Sequence, residues 1–365
     1  MFPVFSFRLS PVKVIGTCLL LLNVISLVAV YSSLHQAGAF TEHPIFTKQV
    51  IWIIGCWFVL IIFSYIDYRF YLNIAFILYG VSVILLLAVD LFGKKVMGAQ
   101  RWLSISGFSF QPSEIAKMVM ILVLARLFSG QGKRGFMRSF AIPGMLTAAS
   151  SMLIFKQPDL GTALILIFLF FIIGLVSGSR KRYFIICIVC ALALAPFASG
   201  VLKGYQMKRL IVFMNPNVDP LGAGYTIIQS KIAIGSGRLL GKGFLSGTQN
   251  QFNFLPERHT DFIFTVIAEE WGFLGSVFLL MVYWTILSSM VSVARDLKDP
   301  AARLLILGIS ALLFLHIFIN IGMTLGILPV VGVPLLFVSY GGTHLLTMFI
   351  LLGIFFNIYR QEIHA

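Results

Sequence analysis

Residues 12–34 read Val12-Lys13-Val14-Ile15-Gly16-Thr17-Cys18-Leu19-Leu20-Leu21-Leu22-Asn23-Val24-Ile25-Ser26-Leu27-Val28-Ala29-Val30-Tyr31-Ser32-Ser33-Leu34, with one charge in the whole stretch. The cleavable core of a signal peptide runs about 7–15 apolar residues and ends at a small-residue cleavage site. This run is longer and has no such site, so it is expected to stay as a membrane span. A bilayer core requires about 20 apolar residues per helix. Further runs of that kind centre on residues 46–66, 71–92, 114–129, 139–156, 160–178, 183–202, 262–291, 303–327 and 343–359. The chain therefore reads as a single all-α polytopic membrane domain over 1–365, with about ten transmembrane helices.

Composition agrees. Of the 365 residues 59% are apolar and only 11% charged, with a mean hydropathy of +0.98. Soluble domains carry about 25% charge, so this chain cannot cover a water-facing surface of its size. The net charge of +14 does not imply nucleic acid, because the positive residues lie mostly between apolar runs, where they set orientation. Cys18, Cys56, Cys187 and Cys190 all fall within apolar runs. The Cys187/Cys190 spacing lacks the second pair or histidines that a metal or redox site requires.

Ten spans put both termini on one side. The short loops on that side hold Arg69, Lys133, Arg134, Arg138, Arg180, Lys181, Arg182, Arg295, Lys298 and Arg303, against Lys48, Lys94, Lys95, Arg101 and Lys156 opposite. The positive-inside rule then places both termini in the cytoplasm. Residues 203–261 become a long extracytoplasmic loop between the seventh and eighth spans. Two other outward segments are unusual. Gly98 to Ser113 alternates apolar and polar residues and is expected in the interface plane. Residues 326–342 are rich in Gly and Pro yet apolar. Such backbone is tolerated at membrane depth only when packed on protein or lining a wet cavity, so a re-entrant segment is expected.

Thirteen acids are few enough to weigh singly. Asp67, Asp296, Asp299 and Glu362 lie among basic residues and read as solvated charges. Asp261 stands where the long loop enters the membrane, just before Phe262-Ile263-Phe264. A carboxylate at that boundary is partly desolvated, which raises its pKa toward the range of a general base, whereas Arg258 or a metal would lower it. Helix capping is the competing reading, although Thr260 can cap equally well. Glu114 and Lys117, three apart, are either a self-neutralising pair or a cation offered to an anionic substrate. Glu269 and Glu270 lie about 12 Å further along the helix than Asp261 and are expected to pair with a basic residue of another span. Asp159 after Pro158 makes an ordinary helix start.

The long loop has seven cations, among them Arg209, Lys242 and Arg258, against three acids. Gly235-Ser236-Gly237 and Gly241-Lys242-Gly243 interleave with them, an arrangement that lets amides and cations approach phosphate oxygens. A lipid diphosphate is the expected anion. The histidines, His259, His316 and His344 included, show no metal-ligand spacing. Gly174/Gly178 and Gly322/Gly326 read as small-residue pairs for close helix packing.

Several motifs together resemble one family across nearly the whole chain. They are Gly98-Ala99-Gln100-Arg101-Trp102-Leu103, Gln111-Pro112-Ser113-Glu114-Ile115-Ala116-Lys117 and Gln157-Pro158-Asp159-Leu160-Gly161-Thr162-Ala163. They continue with Gly241-Lys242-Gly243 through Thr248-Gln249, Leu255-Pro256-Glu257-Arg258-His259-Thr260-Asp261-Phe262-Ile263-Phe264, Glu269-Glu270-Trp271-Gly272-Phe273, Asn320-Ile321-Gly322-Met323 and Pro334 with Ser339-Tyr340-Gly341-Gly342. The set resembles the SEDS family (shape, elongation, division and sporulation) of bacterial cell-wall proteins. The short termini and the glycine–lysine–glycine run are closer to its elongation member than to its septal one. Leu336, where the family usually has proline, and Thr343-His344 depart from the pattern.

The resemblance implies a peptidoglycan glycosyltransferase of the bacterial cytoplasmic (inner) membrane that polymerises lipid II on the outer face. Its partners would be a class B penicillin-binding transpeptidase and other elongation-machinery proteins. Carried over by motif, Asp261 is the catalytic base, with Glu114, Lys117, Asp159, Gln206 and Arg209 supporting substrate. Lys242 and Arg258 join them from the reading of the loop. A divalent ion, magnesium or manganese, at Asp261 is an expectation, and no organic cofactor is expected. A lipid II flippase and a non-catalytic scaffold are the rival readings. The acids gathered on one face favour the enzyme, because a translocation path requires polar residues from side to side.

Overall fold

A computed structural model of the protein describes residues 10–35, 44–96, 99–105, 108–130, 135–194, 204–222 and 224–363. Helices form where the apolar runs predict them: α1 (Pro11–Leu34), α2 (Pro44–Tyr65), α3 (Tyr68–Asn73), α4 (Ala75–Phe92), α5 (Pro112–Ser129), α6 (Ile142–Lys156), α7 (Leu160–Val176) and α8 (Lys181–Leu194). After the long loop come α12 (Ile263–Asp296), α13 (Pro300–Thr324) and α14 (Gly342–Ile363). Proline at the first turn of α1, α5 and α13 fixes φ where no amide partner is required. Asp67, Asp159 and Asp299 cap α3, α7 and α13 through their side chains.

Among the described residues seven helices are long and apolar enough to cross a bilayer: α1, α2, α4, α6 with its preceding turn, α12, α13 and α14. Helices α5, α7 and α8 stand at the three other expected spans, with 18, 17 and 14 residues. Helix α5 carries Glu114, Lys117 and Arg126, yet it is buried along nearly its whole length, packed by α4, α7, α13 and α14. The apolar windows of α13 and α14 are 78% buried, whereas those of α2 and α4 are 22% buried. The core therefore centres on α5, α13 and α14, and α2 and α4 offer their apolar sides outward.

Four features differ from the sequence reading. Gly98 to Ser113 contributes to a small antiparallel sheet, β1 (Lys94–Val96), β2 (Ala99–Ile105) and β3 (Phe108–Phe110), in the order β1-β2-β3. Its alternating pattern is the two-residue period of a strand. Gln100 Nε2 anchors the sheet to the end of α4 by donating to Val89 O at 2.9 Å. The long loop also holds helices, α9 (Gly204–Met214), α10 (Tyr225–Ser236) and the single turn α11 (Thr248–Gln251), of which α10 packs on α12.

On the opposite face, Asp299 and Glu362 are not simply solvated. The buried Tyr68 hydroxyl lies 2.9 Å from Asp299 Oδ2 and 2.8 Å from Glu362 Oε1, and Arg69 Nη2 pairs with Glu362 at 2.9 Å. This knot joins the α2–α3 turn, the start of α13 and the end of α14. Of the small-residue pairs, Gly174 and Gly322 do allow close packing, against the Phe184 ring and Leu328. Gly178 and Gly326 instead turn the chain at φ +79° and +68°.

Between α13 and α14, residues 325–341 form no helix although 335–339 are buried. Pro329 and Pro334 deny the helix its amides, and Gly326 and Gly332 adopt positive φ. Side chains from elsewhere satisfy the exposed carbonyls. Arg209 Nη1 donates to Val330 O at 3.0 Å, Asn320 Nδ2 to Val333 O at 2.8 Å, Tyr283 to Leu336 O at 2.5 Å and Gln49 Nε2 to Ser339 O at 3.4 Å. His316 Nδ1 lies 3.0 Å from Pro334 O. Irregular backbone away from water requires such partners.

Candidate active site

Asp261 ends the long loop two residues before α12, and its position is fixed through its main chain. Asn320 Nδ2 donates to Asp261 O at 2.9 Å, while the neighbouring Thr260 O accepts from Ser339 Oγ at 2.6 Å and His259 O from Tyr340 N at 2.8 Å. The loop end is thus laced to the non-helical segment. Gly332 faces the carboxylate so closely that a Cβ there would stand 3.2 Å from Asp261 Oδ2. Gly161, in the first turn of α7, touches the same segment, where a Cβ would be 2.8 Å from Val333 Cγ2 and 3.0 Å from Val331 O. Gly332 and Gly161 thus let Asp261 and the start of α7 approach one strap of backbone closely.

Two arginines and two acids bear on this carboxylate. Arg101 on β2 is fixed by its Nε donating to Gln157 O at 3.2 Å and its Nη2 to Pro158 O. Arg209 reaches in from α9 to the strap. Burial pushes the Asp261 carboxyl up to about 7; Glu257 and Asp159 reinforce the rise, while Arg101 and Arg209 oppose it. Among the described residues no donor is bonded to its oxygens.

Asp159 is buried and caps α7, accepting from Thr162 N at 3.2 Å and Thr162 Oγ1 at 2.9 Å. Gln111 Nε2 adds a third bond at 3.1 Å. Its charge bears on Asp261, but its oxygens are occupied. Glu114 and Lys117 form a buried pair at 2.7 Å, one helical turn apart on α5. Lys117 Nζ also meets His316 Nε2 at 2.8 Å, so the pair connects through His316 to the Pro334 carbonyl and hence to the strap. His316 and Asn320, one turn apart on α13, grip adjacent carbonyls.

Arg258 and Lys242 are placed apart from this group. The buried Arg258 donates to Asn250 O at 2.9 Å and to Ser33 O and Asn253 Oδ1; the cations bearing on Asp261 are Arg101 and Arg209 instead. Lys242 Nζ pairs with Glu269 at 2.7 Å and meets Thr248 Oγ1 at 2.8 Å. The cation beside Glu269 therefore comes from the long loop and not from another span. Glu270 accepts from Ser32 of α1. The glycine-rich stretch also finds its partners within the protein, because Lys242 N and Gly243 N donate to Glu269 O and Glu270 O at 3.0 Å each. Those carbonyls are released by a break in α12 at Gly272, where φ is +67° and ψ −160°. Gln206 lies on α9, its side chain outside the described residues, as are Lys203 and Glu42.

Sequence reasoning did not single out Arg101, Gln111, His316 or Asn320. A signal was present for the last two, since a polar side chain inside an apolar span is functional unless a bland partner accounts for it. For a divalent ion at Asp261, among the described residues no group of three or more His, Cys, Asp or Glu is arranged to hold one.

The family model for cell cycle proteins of the FtsW, RodA and SpoVE type matches residues 12–364. The chain belongs to this family. It is 41% identical over 305 residues to peptidoglycan glycosyltransferase MrdB of Escherichia coli (strain K12), covering 83% of this chain and 82% of that one. It is 30% identical to peptidoglycan glycosyltransferase RodA of Treponema pallidum, covering 94% and 96%. Among solved structures, a chain of a peptidoglycan synthase complex that coordinates polymerization and crosslinking superposes with a TM-score of 0.79 at 30% identity, covering 98% of each. The rod shape determining protein RodA of Thermus thermophilus superposes with a TM-score of 0.72 at 27% identity, covering 95% and 96%.

Proposed function

We infer that this chain is a peptidoglycan glycosyltransferase of cell elongation in which Asp261 is the general base. The observation that carries the role is a carboxylate desolvated to a pKa of about 7, its oxygens bonded to no described donor, facing a strap of backbone held by side chains of α2, α9, α12 and α13. A base titrating near the working pH combines availability with proton affinity.

The acceptor sugar of lipid II places its 4-hydroxyl against Asp261, which takes the proton. The hydroxyl oxygen forms a bond to the anomeric carbon of the growing chain, and the bond from that carbon to the lipid diphosphate breaks. The electron pair leaves with the diphosphate, whose charge Arg101 and Arg209 stabilise. An anionic leaving group requires no proton from a second acid, which sets this chemistry apart from the paired carboxylates of glycosidases. The buried Glu114–Lys117–His316 chain positions the strap, and Asp159 caps α7 beside it.

The multi-pass chain is proposed to lie in the bacterial cytoplasmic membrane with all ten helices spanning. Both termini are then cytoplasmic and Asp261 faces out, as the basic majority of one set of loops supports. Likeness to a chain of a synthase complex supports a partner synthase. A class B penicillin-binding transpeptidase is the partner proposed here. Incubating the reconstituted chain with purified lipid II and following glycan length tests the assignment: strands from wild type and none from Asp261→Asn support it, and equal polymer from both overturns it.

A further inference from the structure

At the opposite end of the bundle, the last turn of α5 and the starts of α4 and α6 enclose a cavity of about 280 Å³ lined by Phe76, Arg126, Leu127, Arg138 and Ile142. Arg126 is locked in place: its Nη1 donates to Leu72 O and Asn73 O at 2.6 Å each, and its guanidinium carbon lies 5.0 Å from the Phe76 ring centroid. These contacts occupy one nitrogen and one face of the group. Arg138 lines the cavity from a π-helical turn, Met137–Ala141, that leads into α6. Such turns are rare and frequently mark functional sites. Among the described residues no carboxylate pairs with either arginine.

Two guanidinium groups in one concavity, with no carboxylate partner among the described residues, fit phosphate oxygens, which arginine binds as a planar fork. The walls continue into lipid-facing surface, because Phe76 and Ile142 are exposed, as are Ile77 on α4 and Met145 on α6. A free anion has no use for that apolar continuation, but an acyl chain does. The cavity also opens on the face with the basic majority, the arrangement by which proteins meet anionic lipid.

We propose that this pocket holds the phosphate of an anionic phospholipid, with its chains lying along α4 and α6. Native mass spectrometry of the intact purified chain, offered phosphatidylglycerol or phosphatidylcholine, tests it. Wild type should retain phosphatidylglycerol preferentially. Arg138→Gln, an exposed position, should lower retention about fivefold, and Ile142→Trp should lower it by filling the cavity without a change in charge. Circular dichroism confirms that each variant is folded; should Ile142→Trp not fold, Arg138→Gln alone decides. Equal retention of the two lipids, or no loss in the folded variants, overturns the proposal. Displacement of phosphatidylglycerol by millimolar inorganic phosphate assigns the pocket to a soluble anion and also overturns it.

Discussion

Asn320 binds the carbonyl of Asp261 at 2.9 Å and, through the same amide nitrogen, the carbonyl of Val333 at 2.8 Å. One side chain on α13 thus ties the loop that carries Asp261 to the strap it faces. The carboxamide oxygen has no described partner, so the residue acts here as a donor.

Replacing Asn320 with Ala removes both bonds and leaves two carbonyls short of a donor. The expected cost is about 1–3 kcal/mol for each one left unsatisfied, read as a lower midpoint in thermal or denaturant unfolding in detergent. Turnover should fall further than substrate affinity, because the displaced group is the proposed base.

Asp261→Asn should lower polymerisation about 10²–10⁴-fold, the usual worth of a general base, without loss of fold. Steady-state rates on purified lipid II measure this. A rate within tenfold of wild type would overturn the role of Asp261 as base.

The raised pKa of Asp261 predicts two opposite pH effects. Activity should climb as pH rises through about 7, because the proposed base acts in its ionised form. Stability should move the other way. The folded state holds this proton up to about 7 and the unfolded state releases it near 4, so the contribution is full at low pH and lost across that interval. Asp261→Asn should flatten that part of the stability–pH curve, and unfolding midpoints from pH 4 to 8 would reveal it.

Gly332→Ala introduces a Cβ 3.2 Å from Asp261 Oδ2, at a φ of +73°. The left-handed backbone costs roughly 1–2 kcal/mol for a residue with a Cβ, and the added methyl group crowds the carboxylate. Polymerisation should drop, whereas Gly235→Ala, with open space around its Cβ position, should be tolerated.

Lys242→Met leaves the buried Glu269 carboxylate, among the described residues, with only neutral donors, Thr248 Oγ1 at 3.1 Å, Gln249 N at 3.2 Å and Ser236 Oγ at 3.4 Å. Faster proteolysis within residues 238–254 is expected. Adding Glu269→Gln should restore much of the protection, because breaking one side of a buried pair costs more than replacing both. A double variant as labile as the single one would contradict this account.

The helices were legible because an apolar run long enough to cross lipid has few alternatives. Asp261 was legible for a similar reason, as a carboxylate at the membrane boundary. The arginines were not. A cation in a sequence has a charge but no direction, so Arg258 and Lys242 read like Arg209 until their partners, Ser33, Asn250 and Glu269, are known. Arg101 comes near Asp261 only because β2 docks on the α6–α7 turn. His316 and Asn320 take their meaning from the carbonyls of an unwound segment that helical periodicity does not predict.

The break in α12 at Gly272 has an evolutionary corollary. Around it, Lys242 and Gly243 donate to Glu269 and Glu270, and Phe273 and Leu274 donate to Arg238 and Leu239, all through backbone atoms. Side chains at Leu239 or Phe273 can drift without touching those bonds. Gly237, Gly241 and Gly272 cannot, since a Cβ at any of them would fall 2.0–2.3 Å from opposing backbone. Across descendants of this chain, the fingerprint of the clasp should therefore be three fixed glycines separated by otherwise variable letters.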